Sequence, residues 1–171
     1  MRAINTAGLA HLMVWEGFRD TAYQDTGGVW TIGFGTTRWP DGRPVRPGEQ
    51  VTRDQARALI FDSAGGLRDV AEALTRMVDP AVLAELSDNQ YAALCSWTYN
   101  VGIGALRRST LLRRLNAGRL DDVPAQMKRW RYDNGRVVPG LVNRRAAEAA
   151  LWRTPDAAGP QADPPSSREE T

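Results

Sequence analysis

Within residues 3–37 the hydrophobic period of the chain changes, and that change limits the folds open to it. Leu9, Leu12, Met13 and Glu16 recur at helical spacing, and Gly17 offers a stop. From Trp30 to Thr36 the pattern alternates instead. Trp30, Ile32 and Phe34 fall on one side, and Thr31, Gly33 and Gly35 on the other. The TGG run between the two segments reads as a turn between short strands. A helix feeding a small sheet, followed by a long helical remainder, predicts an α+β fold that is mainly α.

The remainder carries its own punctuation. Thr52 with Gln55 and Ser87 with Gln90 have the spacing of capping boxes. The first predicts a helix over 53–77, bent or interrupted at Gly65–Gly66. The second predicts an apolar helix near 88–101, with Ala92, Leu94, Cys95 and Tyr99 available for a core. Ser109 or Thr110 can cap a helix ending near Gly118. Residues 121–131 read as another helix, Asn134–Gly135 as a turn, and 139–152 as the last helix. The expected domain is 1–154. It has a small β-containing lobe over about 17–52 and a helical lobe over about 78–152 that also takes the N-terminal helix. A cleft between the lobes suits an extended polymer. Residues 155–171, rich in Pro, Gly, Ser and acid, read as a disordered tail.

Several classes of function drop out. Cys95 is the one cysteine, which excludes an internal disulfide, and its apolar helical setting reads as a buried small hydrophobe. His11 is the one histidine, so neither a Cys–His dyad nor a zinc centre is expected. The N-terminal residues lack the apolar run of a signal peptide, and no segment is long enough to span a bilayer. The expectation is synthesis in the cytoplasm with no stable membrane insertion. Charge is uneven: residues 106–154 carry 12 Lys+Arg against 4 Asp+Glu. Such a segment favours anionic partners, a cell envelope among them, or forms solvated helix faces. No nucleic-acid motif accompanies the arginines, so a nucleic-acid partner is not expected.

The chemistry concentrates in residues 15–37. Glu16 ends the first helical pattern, where the negative pole of a helix and the neighbouring Trp15 and Phe18 disfavour its charge. A carboxyl so placed suits a general acid. Asp25 lies beside the turn, solvated and ionised, able to act on water or to stabilise positive charge. Thr31 offers a hydroxyl to hold that water. Cleavage of a glycosidic bond calls for such a pair in unlike surroundings. The small face of Thr31, Gly33 and Gly35 would let a bulky polymer approach the backbone.

Three blocks in order carry a resemblance: EGFRDTAYQD with TIGFG at 16–35, YNVGIGALRRSTLLRRLNAG at 99–118, and RW at 129–130 followed by NGRVVPGLVNRRAAE at 134–148. Over about residues 3–152 the chain resembles the phage-type lysozymes (endolysins) of glycoside hydrolase family 24. The resemblance implies a two-lobed lysozyme-like fold, no cofactor and no metal. It implies a monomer that hydrolyses the β-1,4 bond between N-acetylmuramic acid and N-acetylglucosamine in peptidoglycan. Glu16 would be the proton donor, and Asp25 and Thr31 would position the attacking water. Inversion would follow, with the carboxylates roughly 6.5–9.5 Å apart.

By the same resemblance Asn100, Gly33 and Gly35 face the saccharide, and Arg144, with Arg145 as the alternative, pairs with Glu16. Trp130 reads as core in preference to a sugar platform. The sequence departs from the family at Thr36, where a histidine is usual, and the expected consequence is altered stabilisation with the chemistry intact. With no export signal, a membrane-permeabilising holin would release the protein to the periplasm. The rival readings are a catalytically idle cell-wall or partner-binding scaffold and a lytic transglycosylase.

Overall fold

The computed structural model describes residues 2–25 and 27–157. Helix α1 spans Thr6–Glu16, three residues shorter at its start than its hydrophobic pattern. Asn5 sets the boundary by accepting the Gly8 N–H on its side chain, which satisfies one of the free donors of the first turn. Gly17, at φ +67°, ends it. Strands β1 (Arg19–Gln24) and β2 (Trp30–Gly33) then pair antiparallel, with Tyr23 opposite Thr31 and a register shift between Arg19 and Tyr23. The turn between them includes Thr26, which lies outside the described residues. The segment around Glu49–Val51 adds to the far edge of β1 through Ala22 N–H to Glu49 O and Val51 N–H to Asp20 O.

The alternation expected over Trp30–Thr36 holds for the apolar side but not for the small one. Ile32 and Phe34 are buried, yet so are Thr31 and Thr36. The strand ends at Gly33, whose φ of +65° and close approach to α2 explain the glycine: a Cβ there would stand 2.8 Å from the Ala56 Cβ. Gly33 therefore makes room for a helix. At Thr36, the backbone closes a tight turn onto Ile32 with N–H···O distances of 2.8 and 3.0 Å. Its buried Oγ1 finds no hydrogen-bond partner, so the threonine fills the position without an ion pair.

Both capping boxes form, and they start α2 (Arg53–Asp62) and α5 (Asp88–Val101). The predicted helix 53–77 is two helices. Gly65, at φ +79°, and Gly66 separate α2 from α3 (Leu67–Met77), and a Cβ on Gly66 would meet three backbone carbonyls within 2.8 Å. A short α4 (Pro80–Glu85), which no periodicity announces, follows Asp79 as cap. After α5 come α6 (Ile103–Arg108) and α7 (Thr110–Asn116), the latter capped by Ser109. The segment expected as a helix over 121–131 is a 3₁₀ turn at Leu120–Asp122 followed by α8 (Val123–Lys128). Strands β3 (Tyr132–Asp133) and β4 (Arg136–Val137) form a hairpin on Asn134–Gly135, both at positive φ as a type I′ turn requires. Helix α9 (Pro139–Arg153) is the last element among the described residues.

One contiguous apolar core runs from Leu9 and Leu12 of α1 through Phe34 and Ile60 to Trp97 of α5 and Trp152 of α9. Burial at this scale stabilises the fold at roughly 25 cal/mol per Å² of apolar surface. The chain beyond α9 turns back onto α5. Asp156 accepts the N–H groups of Asp88 and Asn89 at 2.8 Å, and Asn89 donates to the Thr154 and Pro155 carbonyls. A carboxylate at a helix N-terminus is favoured by the helix dipole, so the first residues of the expected tail are anchored. The rest of that tail, from residue 158, lies outside the described residues.

The loop between the sheet and α2 is organised by Glu49. It accepts the Arg46 N–H, the Trp39 Nε1–H and an Arg43 guanidinium at 2.6–2.9 Å. The Arg46 N–H and the Arg43 guanidinium hold its carboxyl far below the usual range, at about 2. A depressed carboxylate stabilises above its unfolded pKa and loses that contribution as pH falls through the folded one. Trp39 fluorescence should therefore report loosening of this loop as pH drops from about 4.5 toward about 2, and the step should vanish in Glu49→Gln. Gly33→Ala should destabilise the protein by about 1–3 kcal/mol in urea unfolding, from strained φ and overpacking against Ala56.

Candidate active site

Helices α1, α5 and α9 meet at a buried polar cluster. Glu16, in the last turn of α1, keeps 14% of its side chain exposed, and its Oε1 accepts a hydrogen bond from Arg144 Nη2 at 2.6 Å. Gly35, at φ +87°, lies over the other oxygen: a Cβ there would stand 3.1 Å from Glu16 Oε2. The glycine thus leaves room for the carboxylate. Tyr99 of α5 closes another side, donating its OH to the Phe34 carbonyl at 3.3 Å. Burial, and after it the Glu16 carboxylate, push the Tyr99 hydroxyl above its ordinary pKa, so it stays a neutral donor.

Of the two candidate arginines, Arg144 reaches Glu16. Arg145 points to α5 and donates to Asn100 Oδ1 at 2.8 Å. Behind both lies Glu148, one turn on along α9 and fully buried. Its Oε1 accepts from Ser96 Oγ at 2.9 Å, Arg145 Nη2 at 3.1 Å and Arg144 Nε at 3.2 Å, and Arg145 Nε lies 2.9 Å from its Oε2. Burial pushes the Glu148 carboxyl up, while the two guanidiniums pull it back. The net direction is upward, burial outweighing the two guanidiniums and the Ser96 hydroxyl. Arg145 responds in the other direction, lowered to about 10 by burial, and remains charged at neutral pH. His11, one α1 turn before Trp15, is lowered by burial and by Arg144, and so is neutral there.

Asp25 has a different environment. It is exposed at the β1–β2 turn, and its Oδ1 accepts the N–H groups of Gly27 at 2.9 Å and Val29 at 2.8 Å. Those bonds fix one carboxylate oxygen and leave the other for water or ligand. Thr31, on β2 opposite Tyr23, is 4% exposed, with its hydroxyl donated to the Val29 carbonyl at 3.1 Å. With its proton committed, the hydroxyl offers a water only its lone pairs.

Asn100 is exposed and lines an open cavity of about 380 Å³ with Trp130, Tyr132, Asp133, Val138 and Leu141. Trp130 is not the core residue expected. It packs edge-on against the buried Trp97, with ring centroids 5.3 Å apart, and leaves 37% of its surface exposed beside Asn100. Gly33, by contrast, is buried under α2 and presents no surface to a saccharide. Burial pushes the Cys95 thiol up to about 12, so it is no nucleophile. Among the described residues no group of three His, Cys, Asp or Glu could hold a metal ion, and no helix is long and apolar enough to cross a membrane.

Sequence reasoning named Glu16, Asp25, Thr31, Asn100 and Arg144 but missed Glu148, Ser96 and Tyr99. The signal for Glu148 was present as an acid three and four residues after two arginines on a predicted helix. It was not singled out, because nothing in the spacing tells which helix face is buried.

The phage lysozyme family model matches residues 13–148. An endolysin of Acyrthosiphon pisum secondary endosymbiont phage 1 is 34% identical over 155 residues, covering 88% of this chain and 98% of that protein. The endolysin of Bacillus phage PZA is 38% identical over 153 residues, 88% of this chain but 55% of that longer protein. Among solved structures, the endolysin from Escherichia coli O157:H7 phage FAHEc1 superposes with a TM-score of 0.78 at 32% identity, over 89% of this chain and 94% of that one.

Proposed function

The chain belongs to the phage lysozyme family, and from that premise we propose that it is an endolysin that hydrolyses peptidoglycan at the β-1,4 bond between N-acetylmuramic acid and N-acetylglucosamine. The observation that carries the reading is the contrast between two carboxylates. Glu16 is largely buried and held by Arg144, whereas Asp25 is exposed and fixed through one oxygen by two backbone N–H groups. Glycoside hydrolysis needs such a division between an acid and a group that manages water.

In the proposed reaction Glu16 gives its proton to the glycosidic oxygen as the C–O bond breaks. Water attacks the anomeric carbon from the opposite face, and its proton passes to Asp25. Thr31 accepts a hydrogen bond from that water, the one role its committed hydroxyl leaves open. The product sugar is inverted. Asn100 and the exposed face of Trp130 border the glycan on the helical side, supported by the cavity they share. The lytic role implies that a holin or an equivalent membrane lesion admits the protein to its substrate.

Glu16→Gln should lower turnover of purified peptidoglycan by at least about 10³-fold, since it removes the acid, while circular dichroism stays that of the parent. Mass spectrometry of the parent's products should show reducing ends. Products with 1,6-anhydro ends would replace hydrolysis by transglycosylation, and undiminished turnover by the Gln variant would remove Glu16 from the chemistry.

A further inference from the structure

We infer that Glu148 is a positioning residue, a buried carboxylate on α9 that aims Arg144 at Glu16 and Arg145 at Asn100. The inference rests on the proposed roles of Glu16 and Asn100. Arg144 and Arg145 are consecutive, so on a helix their side chains leave about 100° apart. Left alone, they would diverge and repel. Glu148 stands three residues from one and four from the other, which places it between them on the same face. Its Oε1 takes Arg144 Nε and Arg145 Nη2, its Oε2 lies beside Arg145 Nε, and Ser96 Oγ holds Oε1 from α5.

Each guanidinium also reaches the site through its Nη2, which on Arg145 is shared with Glu148. Arg144 Nη2 goes to Glu16 Oε1 at 2.6 Å and Arg145 Nη2 to Asn100 Oδ1 at 2.8 Å. A single carboxylate therefore sets the direction of both arginines. Through them it fixes the proposed acid on α1 and a saccharide-facing amide on α5. The amide is fixed in more than position. With one Oδ1 lone pair taken by a guanidinium, the oxygen and nitrogen of the Asn100 amide are told apart, and its NH₂ is free to donate to the glycan.

The arrangement also balances charge around Glu16. The charged and titratable groups about it are Arg144, Arg145 and Glu148 from α9, Tyr99 from α5 and His11 from its own helix. Burial holds Tyr99 as a neutral hydroxyl, and Glu148, in contact with both guanidiniums, is the carboxyl on α9 placed to offset them. Removing Glu148 leaves the cations in excess, which favours ionised Glu16 and depletes the acid. Removing Arg145 does the reverse. A Glu148 that only packed α9 against α5 would leave the limb in place when replaced by Gln.

The test is the pH profile of kcat/KM on soluble peptidoglycan fragments, whose alkaline limb reports the essential acid of the free enzyme. In Glu148→Gln the limb should move to lower pH by about half a unit or more, with kcat at neutral pH down about ten-fold. In Arg145→Gln the limb should move to higher pH. Opposite displacements support the inference; limbs unmoved, or moved the same way, overturn it. If Glu148→Gln fails to fold by circular dichroism, Ser96→Ala decides instead: loss of the hydroxyl that holds Oε1 from α5 should lower kcat at neutral pH several-fold with the fold intact, and a parental kcat overturns the inference. A parent protein that cleaves nothing would instead remove the proposed function, so the two failures are distinguishable.

Discussion

A fully buried glutamate between two buried arginines is an expensive thing to build into a small protein. Taking each of these charges out of water costs several kcal/mol, and their mutual attraction repays this only when the geometry is good and the remaining polar atoms are bonded. Here Glu148 Oε1 is supplied by Arg144, Arg145 and Ser96, and the arginines continue to Glu16 and Asn100, while Glu148 Oε2 and the Nε and Nη1 of Arg145 are buried without a hydrogen bond. The chain of contacts runs from α1 through α9 to α5. It requires that the C-terminal end of α1, the Ser96–Asn100 face of α5 and the middle turns of α9 sit at one point. The Gly35 turn beside Glu16 and the Tyr99 bond to the Phe34 carbonyl bring the sheet to the same point.

Hydrophobic packing surrounds this cluster but does not specify it. The continuous core would tolerate apolar residues of similar volume at 144, 145 and 148, and such replacements of buried ion networks are often neutral or stabilising. The network is then better understood through what it presents to solvent than through what it adds to stability. It presents a carboxyl with restricted access, a backbone turn without a side chain, and an amide with its donors outward. Asp25 and Thr31 complete the set from the turn of the sheet, where water has access.

Much of this was legible in the sequence, for identifiable reasons. The capping boxes at Thr52 and Ser87 and the Asn134–Gly135 turn are local chemistry, readable without tertiary context, and each appears at its predicted residue. The period change between α1 and β2 gave the fold class because side-chain direction follows backbone type. What failed was long-range. Gly33 and Gly35 look alike in an alternating strand, yet one is covered by Ala56 and the other faces Glu16. Trp130 reads as core by composition, but its exposure depends on the hairpin that follows it. Glu148 resembles any i,i+4 partner of an arginine until three helices close over it. In each case the deciding fact is which element packs on which face, and a single chain does not encode that in its spacing.

The claim that the buried charges serve the site and not the fold is open to one direct measurement. The triple variant Arg144→Met, Arg145→Leu, Glu148→Leu replaces the network with apolar side chains of comparable length. Thermal unfolding and peptidoglycan turnover would be recorded on the same preparation. The account predicts a melting temperature equal to or above that of the parent with turnover reduced by at least about 10²-fold, since the proposed acid Glu16 and the Asn100 amide lose their supports. A variant that melts normally and turns over at the parental rate would contradict it.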